Sequence, residues 1–377
     1  VNESSQMNDY RICTRCVMDT SDPDIQFDRE GVCNHCHTYD LAVKRYVVSG
    51  EAGRKRIEAI VRTVKSLGAN KPYDCVIGLS GGVDSTYTAY KVKQLGLRPL
   101  AIHLDNGWDS ELAVKNIENI CNRLKIDLHT IVLDWEEFRS LQLAFLKAST
   151  PDSEIPSDHA IAAASIQTAT KVGVGYIITG NNIRTETHVP RAWSQGHLDW
   201  LYIRSVNRRF GSAELKTFPH LKWWEFYLNP WDHRFIHILN YLDYSKKDAI
   251  PVLERDLEWK YYGGKHYESI YTRWYQGYWL PQKFGFDKRR SHLSSLICSG
   301  EITRAEALES LKTPTYSASL QEEDTAYVMK KLGLTPDELK RIFTLPRKTY
   351  WDYPAYGKVY QTKAYALLRR VYRFVSR

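Results

Sequence analysis

With 377 residues the chain has room for about two to three domains and a sizeable core. Its 52 Lys and Arg against 44 Asp and Glu leave a net charge of +8, a modest excess that suits anionic small molecules such as nucleotides at least as well as nucleic acid. No run approaches the roughly 18 apolar residues of a spanning helix, and the start of the chain is polar, so a cytoplasmic protein with no membrane span is expected.

Residues 1–6 are set aside as an extension ahead of a start at Met7. Four of the seven cysteines then form one pattern, Cys13-Thr-Arg-Cys16 and Cys33-Asn-His-Cys36. Two C-x2-C knuckles at this separation suit a four-thiolate tetrahedral zinc, and the polar loop between them has too little apolar surface to fold without the metal. His35 and His37 are alternative ligands; four cysteines already close a tetrahedron, so a structural zinc is favoured over a catalytic one. Residues 39–67 read as helical, with Ile57, Ile60, Val61, Val64 and Leu67 on one face.

Strand and helix then alternate: strands over 74–79, 98–104, 128–133 and 176–179, and helices over 84–95, 109–124, 135–147 and 160–172. This rhythm predicts an α/β fold with a doubly wound parallel sheet, whose ligands bind at the carboxyl ends of the strands. The first strand runs into Ser80-Gly81-Gly82-Val83-Asp84-Ser85. Paired glycines let backbone N–H groups converge on an anion, the Ser80, Ser85 and Thr86 hydroxyls add donors, and the following helix contributes its positive end. Asp84 stands where a Walker loop would carry Lys, which implies a bridging Mg²⁺. The second strand ends in Asp105-Asn106-Gly107 and the fourth in Gly180-Asn181-Asn182, small polar residues suited to lining a nucleotide cleft. Asp158 is expected to cap the helix over 160–172, and His159 is either a capping residue or a phosphate ligand.

After Thr185 the pattern is irregular for about forty residues, and its Trp and Arg side chains are candidates for gripping a second substrate. A strand is expected over 235–242. Ser245 caps the next helix, and Lys246 or Lys247 at its start would neutralise an anionic leaving group. The remainder is helical, with capping boxes at Thr303/Glu306, Ser319/Glu322 and Thr335/Glu338. Basic residues interleaved with rings, around Lys265-His266-Tyr267 and Lys288-Arg289, could hold a sugar and its phosphate. The helix over 363–377 suits docking. The expected layout is a zinc ribbon over 7–40, linker and docking helices over 41–73, the nucleotide domain over 74–258, and a helical substrate or partner region over 259–377.

Ser-Gly-Gly-Val-Asp-Ser resembles the pyrophosphate loop (PP-loop) of the N-type ATP pyrophosphatases, which cleave ATP to AMP and pyrophosphate. The knuckles, Asp-Asn-Gly-Trp, Pro-Ser-Asp-His-Ala-Ile, Lys-Tyr-Tyr-Gly-Gly-Lys-His-Tyr-Glu-Ser and Lys-Phe-Gly-Phe-Asp-Lys-Arg-Arg-Ser-His carry a narrower resemblance, to the N-acetyl sugar amidotransferases of surface-polysaccharide and flagellin-glycan biosynthesis. That resemblance implies adenylylation of the acetamido oxygen of a nucleotide-activated N-acetyl sugar, then displacement of AMP by ammonia from a separate class I glutaminase. On this reading ATP and Mg²⁺ sit on Ser80, Gly81, Gly82, Val83, Asp84, Ser85, Asp105, Asn106, Gly180 and Asn181. Ser80, Asp84 and Lys246 are the catalytic candidates, and Lys265, His266, Tyr267, Lys288 and Arg289 the sugar-site candidates. Cys13, Cys16, Cys33 and Cys36 hold the structural zinc. Cys75, Cys121 and Cys298 read as lone buried thiols, which argues against in-chain glutamine hydrolysis and against the main alternative, a tRNA-thiolating enzyme. A non-enzymatic nucleotide-binding scaffold is the second alternative. No nucleic-acid partner is expected.

Overall fold

The computed structural model describes residues 10–222, 235–262, 267–315 and 317–360. Trp223, Trp224, Lys265, His266 and the expected helix over 363–377 lie outside the described residues. Helices α1 (Asn34–Tyr46) and α2 (Gly50–Gly68) precede the alternating region. This region comprises β1 (Cys75–Gly78), α3 (Val83–Gln94), β2 (Pro99–Asp105), α4 (Glu111–Leu124), β3 (Asp127–Val132), α5 (Trp135–Ala148), α6 (Ile155–Lys171) and β4 (Ile177–Thr179). It continues through α7 (Ile183–Glu186), α8 (Trp200–Phe210), β5 (Phe235–His237) and α9 (Lys246–Leu257).

The five strands form one parallel sheet in the order β3-β2-β1-β4-β5, as the strand–helix alternation requires. Successive strand residues face opposite sides. Ile77 therefore joins a core with Ala89, Ile117, Ile120 and Leu253 from α3, α4 and α9, while Val76 joins one with Ala163, Ile166 and Ala169 from α6. The alanines of α6 let that helix lie close to the sheet. Strand order reverses between β1 and β4, the place at which sheets of this kind bind ligands at the carboxyl ends of their strands.

A helical C-terminal region follows, with α10 (Ile270–Trp274), a π-helical turn over Tyr275–Trp279, α11 (Leu280–Phe284), α12 (Arg289–Ser299), α13 (Arg304–Lys312), α14 (Ala318–Leu332) and α15 (Pro336–Phe343). Its core is built on fully buried Trp274, Tyr275 and Trp279 and is continuous with α5, α8 and the four knuckle cysteines. Among the described residues no helix is long and apolar enough to cross a membrane.

Four local expectations are corrected. Helix α6 begins at Ile155, with Glu154 as its N-cap, because Pro156 presets helical φ in the first turn; Asp158 lies inside that turn. The helix expected to start at Ser319 is capped by Ser317, whose hydroxyl accepts from the Leu320 N–H. The strand over 235–242 stops at His237, since its partner β4 has only three residues to pair with, and Ile238–Tyr241 forms a 3-10 turn. The stretch after Thr185 contains α8, whose buried Trp200, Ile203 and Val206 follow helical spacing; Asp199 caps it. Trp193 and Trp200 of this stretch are core residues. Trp193 stacks on Phe286 at 4.6 Å and Trp200 on His220 at 4.3 Å.

Candidate active site

The β1–α3 loop sits at the point where strand order reverses. Gly81 adopts φ +81°, a conformation L side chains rarely adopt, which turns the strand into the helix. Ser80 and Ser85 hydroxyls lie 3.1 Å apart, and Ser80 Oγ accepts from the Gly82 N–H at 3.3 Å. The N-cap of α3 is Gly82, so no side chain caps the helix, and the N–H groups of its first turn can serve an anion. Thr86 is fully buried and does not face the loop's open side. Gly180 at the end of β4 touches the same turn. A Cβ there would lie 2.7 Å from the Asp84 carbonyl carbon and 2.8 Å from Ser85 N. Only glycine lets β4 lie this close, and Asn181 follows it, donating to Glu186 at 3.2 Å.

The remote lysine reaches this loop. Lys246 Nζ lies 3.0 Å from Asp84 Oδ2, and the Tyr244 hydroxyl donates to Asp84 Oδ1. Burial opposes the Lys246 ammonium, but the charge of Asp84 and its hydrogen bond outweigh it and raise the pKa, so the lysine is cationic. Burial, then Asp84, pushes the Tyr244 hydroxyl far above its ordinary range, which keeps it a donor. Ser245 Oγ caps α9 by accepting from the Asp248 N–H, while Glu301 from the C-terminal region accepts the Lys246 N–H at 3.0 Å. The C-terminal region also meets the loop directly. Trp259 Nε1 donates to the Gly81 carbonyl at 2.7 Å, as does the Tyr262 hydroxyl, and Glu268 approaches Gly82. Tyr244, Trp259, Tyr262 and Glu301 were not among the sequence-predicted site residues. They sit some 160 to 220 positions from the loop, and only Tyr262, inside the Lys-Tyr-Tyr-Gly-Gly-Lys string, carried a local signal.

A second polar cluster lies at the same edge of the sheet. Asn106, just past β2, donates to Ser157 Oγ in the first turn of α6 at 3.0 Å, which ties that turn to the strand end. Beside it His197 Nε2 lies 3.5 Å from Asp152 and 3.4 Å from Asp158, and Ser194 hydrogen-bonds both His197 and Asp152. Lys288 Nζ faces Glu154 at 3.8 Å, and Gln276 donates to Glu154 at 2.7 Å. Burial would lower the His197 pKa, but the hydrogen bond to Asp152 and the charges of Asp158 and Asp152 raise it to about 9. Asp105 turns back on its own loop by accepting from the Gly107 N–H. His159 lies inside α6, fully buried between the His197 carbonyl and the Leu221 N–H. Arg289 is held by Asp287 and by the carbonyls of Ser310 and Thr313, and Tyr267 donates to the Thr315 carbonyl at 3.0 Å.

The knuckles bring four buried sulfurs together. Cys16–Cys33, Cys33–Cys36 and Cys13–Cys36 Sγ separations are 3.6, 3.8 and 3.9 Å, and all four sulfurs lie within 4.8 Å of one another. A tetrahedral zinc with bonds of about 2.3 Å sets sulfur–sulfur edges near about 3.8 Å, so the cluster fits that ion. His35 and His37 pair instead with Asp22 and Asp28 of the intervening loop. The unit docks on α12 and the start of α13. Val17 N–H donates to Ser294, Arg290 reaches the Val17 carbonyl and Asp19, and Arg304 donates to the Cys13 and Cys16 carbonyls.

Fold and loop define an α/β protein of the PP-loop type with an N-terminal cysteine cluster and a helical C-terminal region. Residues 54–181 match the NAD synthase family, and residues 268–368 match the C-terminal domain of the LPS biosynthesis protein WbpG-like family. Those matches support membership of the PP-loop superfamily and a link to lipopolysaccharide biosynthesis. The chain is similar to the tRNA-specific 2-thiouridylases MnmA of Staphylococcus epidermidis, 29% identical over 147 residues, and of Staphylococcus saprophyticus, 28% identical. Each match takes in 35% of this chain and spans only 38% of the relative's length. The NMN synthetase of Francisella tularensis superposes with TM-score 0.32 at 14% identity, over 79% of this chain and 99% of that one. The NH3-dependent NAD synthetase of Campylobacter jejuni superposes with TM-score 0.31 at 14% identity, over 75% and 97%. These two overlaps are too loose to bear on the chemistry.

Proposed function

We propose that the protein is an ATP-dependent amidotransferase that converts the acetamido group of a nucleotide-linked N-acetyl sugar to an acetamidino group. The observation that carries this reading is the convergence of an uncapped PP-loop, the Asp84–Lys246 pair and a WbpG-like C-terminal region on one site. An amide oxygen is a poor leaving group. Attack of that oxygen on the α-phosphorus releases pyrophosphate and leaves AMP on the former amide; ammonia then adds at carbon and AMP departs. The Ser80–Ser85 loop and the first turn of α3 hold the phosphates, and Lys246 supplies positive charge as pyrophosphate leaves. Asp84, with Glu186 close by, would hold Mg²⁺, which adds charge neutralisation on the phosphates. With the Asp84 carboxylate neutralised by such an ion, Lys246 would be available to the leaving group. Asn106, Asn181 and Asp105 border the nucleotide.

The sugar lies toward Lys288 and the Asp152–His197–Asp158 cluster, whose carboxylates accept from sugar hydroxyls while Lys288 faces anionic substituents. Lys265, His266, Tyr267 and Arg289 remain candidates for this side of the site. The four knuckle cysteines hold a structural zinc that fixes the N-terminal unit on α12. Ammonia comes from a separate glutaminase. Two lone thiols speak against tRNA thiolation: burial pushes Cys75 up to about 12 and Cys121 to about 11, leaving both poor nucleophiles.

The test incubates the purified chain with ATP, ammonium and a panel of UDP-linked N-acetyl sugars, reading products by mass spectrometry. The expected products are AMP, pyrophosphate and a sugar nucleotide about one dalton lighter, since NH replaces O. ADP and phosphate as products would overturn the reading of the loop. Robust turnover with glutamine by the isolated chain would overturn the separate ammonia source.

A further inference from the structure

Cys298 is not the isolated thiol that its place in the sequence suggests. It lies in the last turn of α12, with its sulfur 3.9 Å from Cys36 Sγ and 3.7 Å from His188 Nε2; the three ligand atoms lie within 4.8 Å of one another. Cys36 comes from the first turn of α1 and His188 from just beyond α7, and both are fully buried. Ser295 holds the side of the His188 ring away from Cys298. Ser295 donates its hydroxyl proton to the Ser291 carbonyl at 3.3 Å, so its oxygen accepts from the His188 backbone N–H and, at 3.0 Å, from Nδ1–H. This arrangement suits a ring proton on Nδ1. Nε2 presents a lone pair toward Cys298, the arrangement of a metal-ligating imidazole steadied through its other nitrogen.

Three lone-pair donors thus converge on one point: Cys36 Sγ, Cys298 Sγ and His188 Nε2. With Cys36 as a thiolate of the four-cysteine site and the ring proton on Nδ1, the Cys298 thiol proton would serve only one of the two acceptors facing it. A soft cation satisfies all three. The spacing agrees, because two thiolates and one imidazole on a tetrahedral zinc stand about 3.5 to 3.8 Å apart. Charge agrees too. A Zn(Cys)4 centre carries a double negative charge, which a second divalent ion with one further thiolate reduces to a single one. Arg15 adds positive charge near these sulfurs, but its hydrogen bonds go to Asp40 and none to the sulfurs is among those of the described residues.

We propose that Cys36, His188 and Cys298 hold a second thiophilic divalent ion of the zinc class, with Cys36 bridging it to the four-cysteine site. Three protein ligands leave one position open to water or a small ligand.

The experiment equilibrates purified full-length protein with micromolar zinc, removes free metal by gel filtration and counts bound zinc by mass spectrometry. Wild type holds two ions per chain, and Cys298→Ser and His188→Gln hold one each with unchanged circular dichroism. In parallel, one equivalent of Co²⁺ added to protein that retains its first zinc produces a near-ultraviolet thiolate-to-cobalt band in wild type, and none in Cys298→Ser. One zinc in wild type, or two in both variants, overturns the proposal. Loss of every ion from a folded Cys298→Ser chain also overturns it, since Cys298 would then belong to the first site.

Discussion

Gly180→Ala tests whether β4 must lie against the phosphate loop. A Cβ at this position would stand 2.7 Å from the Asp84 carbonyl carbon and 2.8 Å from Asp84 O and Ser85 N. All three are backbone atoms that cannot rotate away. Ordinary carbon contacts lie at about 3.5 to 4.0 Å, so the β4 end or the first turn of α3 must retreat by about 1 Å. Overpacking of this kind costs about 1–3 kcal/mol of stability, and a misplacement of about 1 Å at reacting groups costs about 100-fold in rate. The expected result is a folded protein with a modestly lowered unfolding midpoint, about 100-fold lower AMP and pyrophosphate release, and weaker ATP binding by calorimetry. Gly175→Ala is the matched control. A Cβ there meets only Leu67 Cδ1, at 3.9 Å, and φ is not positive, so the control should match wild type. If Gly180→Ala keeps turnover and ATP affinity within about threefold of wild type, the claim that this contact shapes the site is refuted.

Lys246→Ala leaves the partly buried Asp84 carboxylate facing Glu301 and Glu186 without its cation; it should lose up to about 3 kcal/mol by denaturant unfolding and about 100- to 1,000-fold in turnover. Wild-type turnover in that variant would remove the lysine from the mechanism. The Cys13→Ser, Cys33→Ser double variant should lose the four-cysteine metal by elemental analysis, and protease should then cut residues 10–33, whose anchorage on α12 depends on the knuckle; unchanged metal content would exclude these ligands. His197 has its pKa raised from the ordinary 6.5 to about 9, so the stability it adds is complete below about pH 6.5 and fades as pH rises through about 9. The stability gap between wild type and His197→Gln should follow that course in denaturant titrations. A gap that does not change with pH would show that its pairing with Asp152 and Asp158 contributes no charge-dependent stability.

Local information in the sequence was enough for the sheet, the phosphate turn and the cysteine knuckles. Each rests on short-range physics. Alternating apolar segments set strands and helices, Gly81 must take a positive φ, and each C-x2-C pair draws two sulfurs from a single turn. The Thr303 and Thr335 capping boxes were legible for the same reason. The caps at Ser317 and Glu154 displaced the expected Ser319 and Asp158, and at α6 the reason is local too, since Pro156 presets the first turn. Tertiary structure alone decided which distant groups meet the loop. Lys246 reaches Asp84, Trp259 and Tyr262 hold the Gly81 carbonyl, and Glu301 holds the start of α9, all across more than 50 positions of chain. It also turned Trp193 and Trp200, which read as a substrate surface, into core, and placed Cys298 beside Cys36 and His188. The reason is physical: strand, turn and knuckle are settled by neighbours a few residues away, whereas a side chain's burial and its ionic partner depend on how whole elements pack, which no local spacing records.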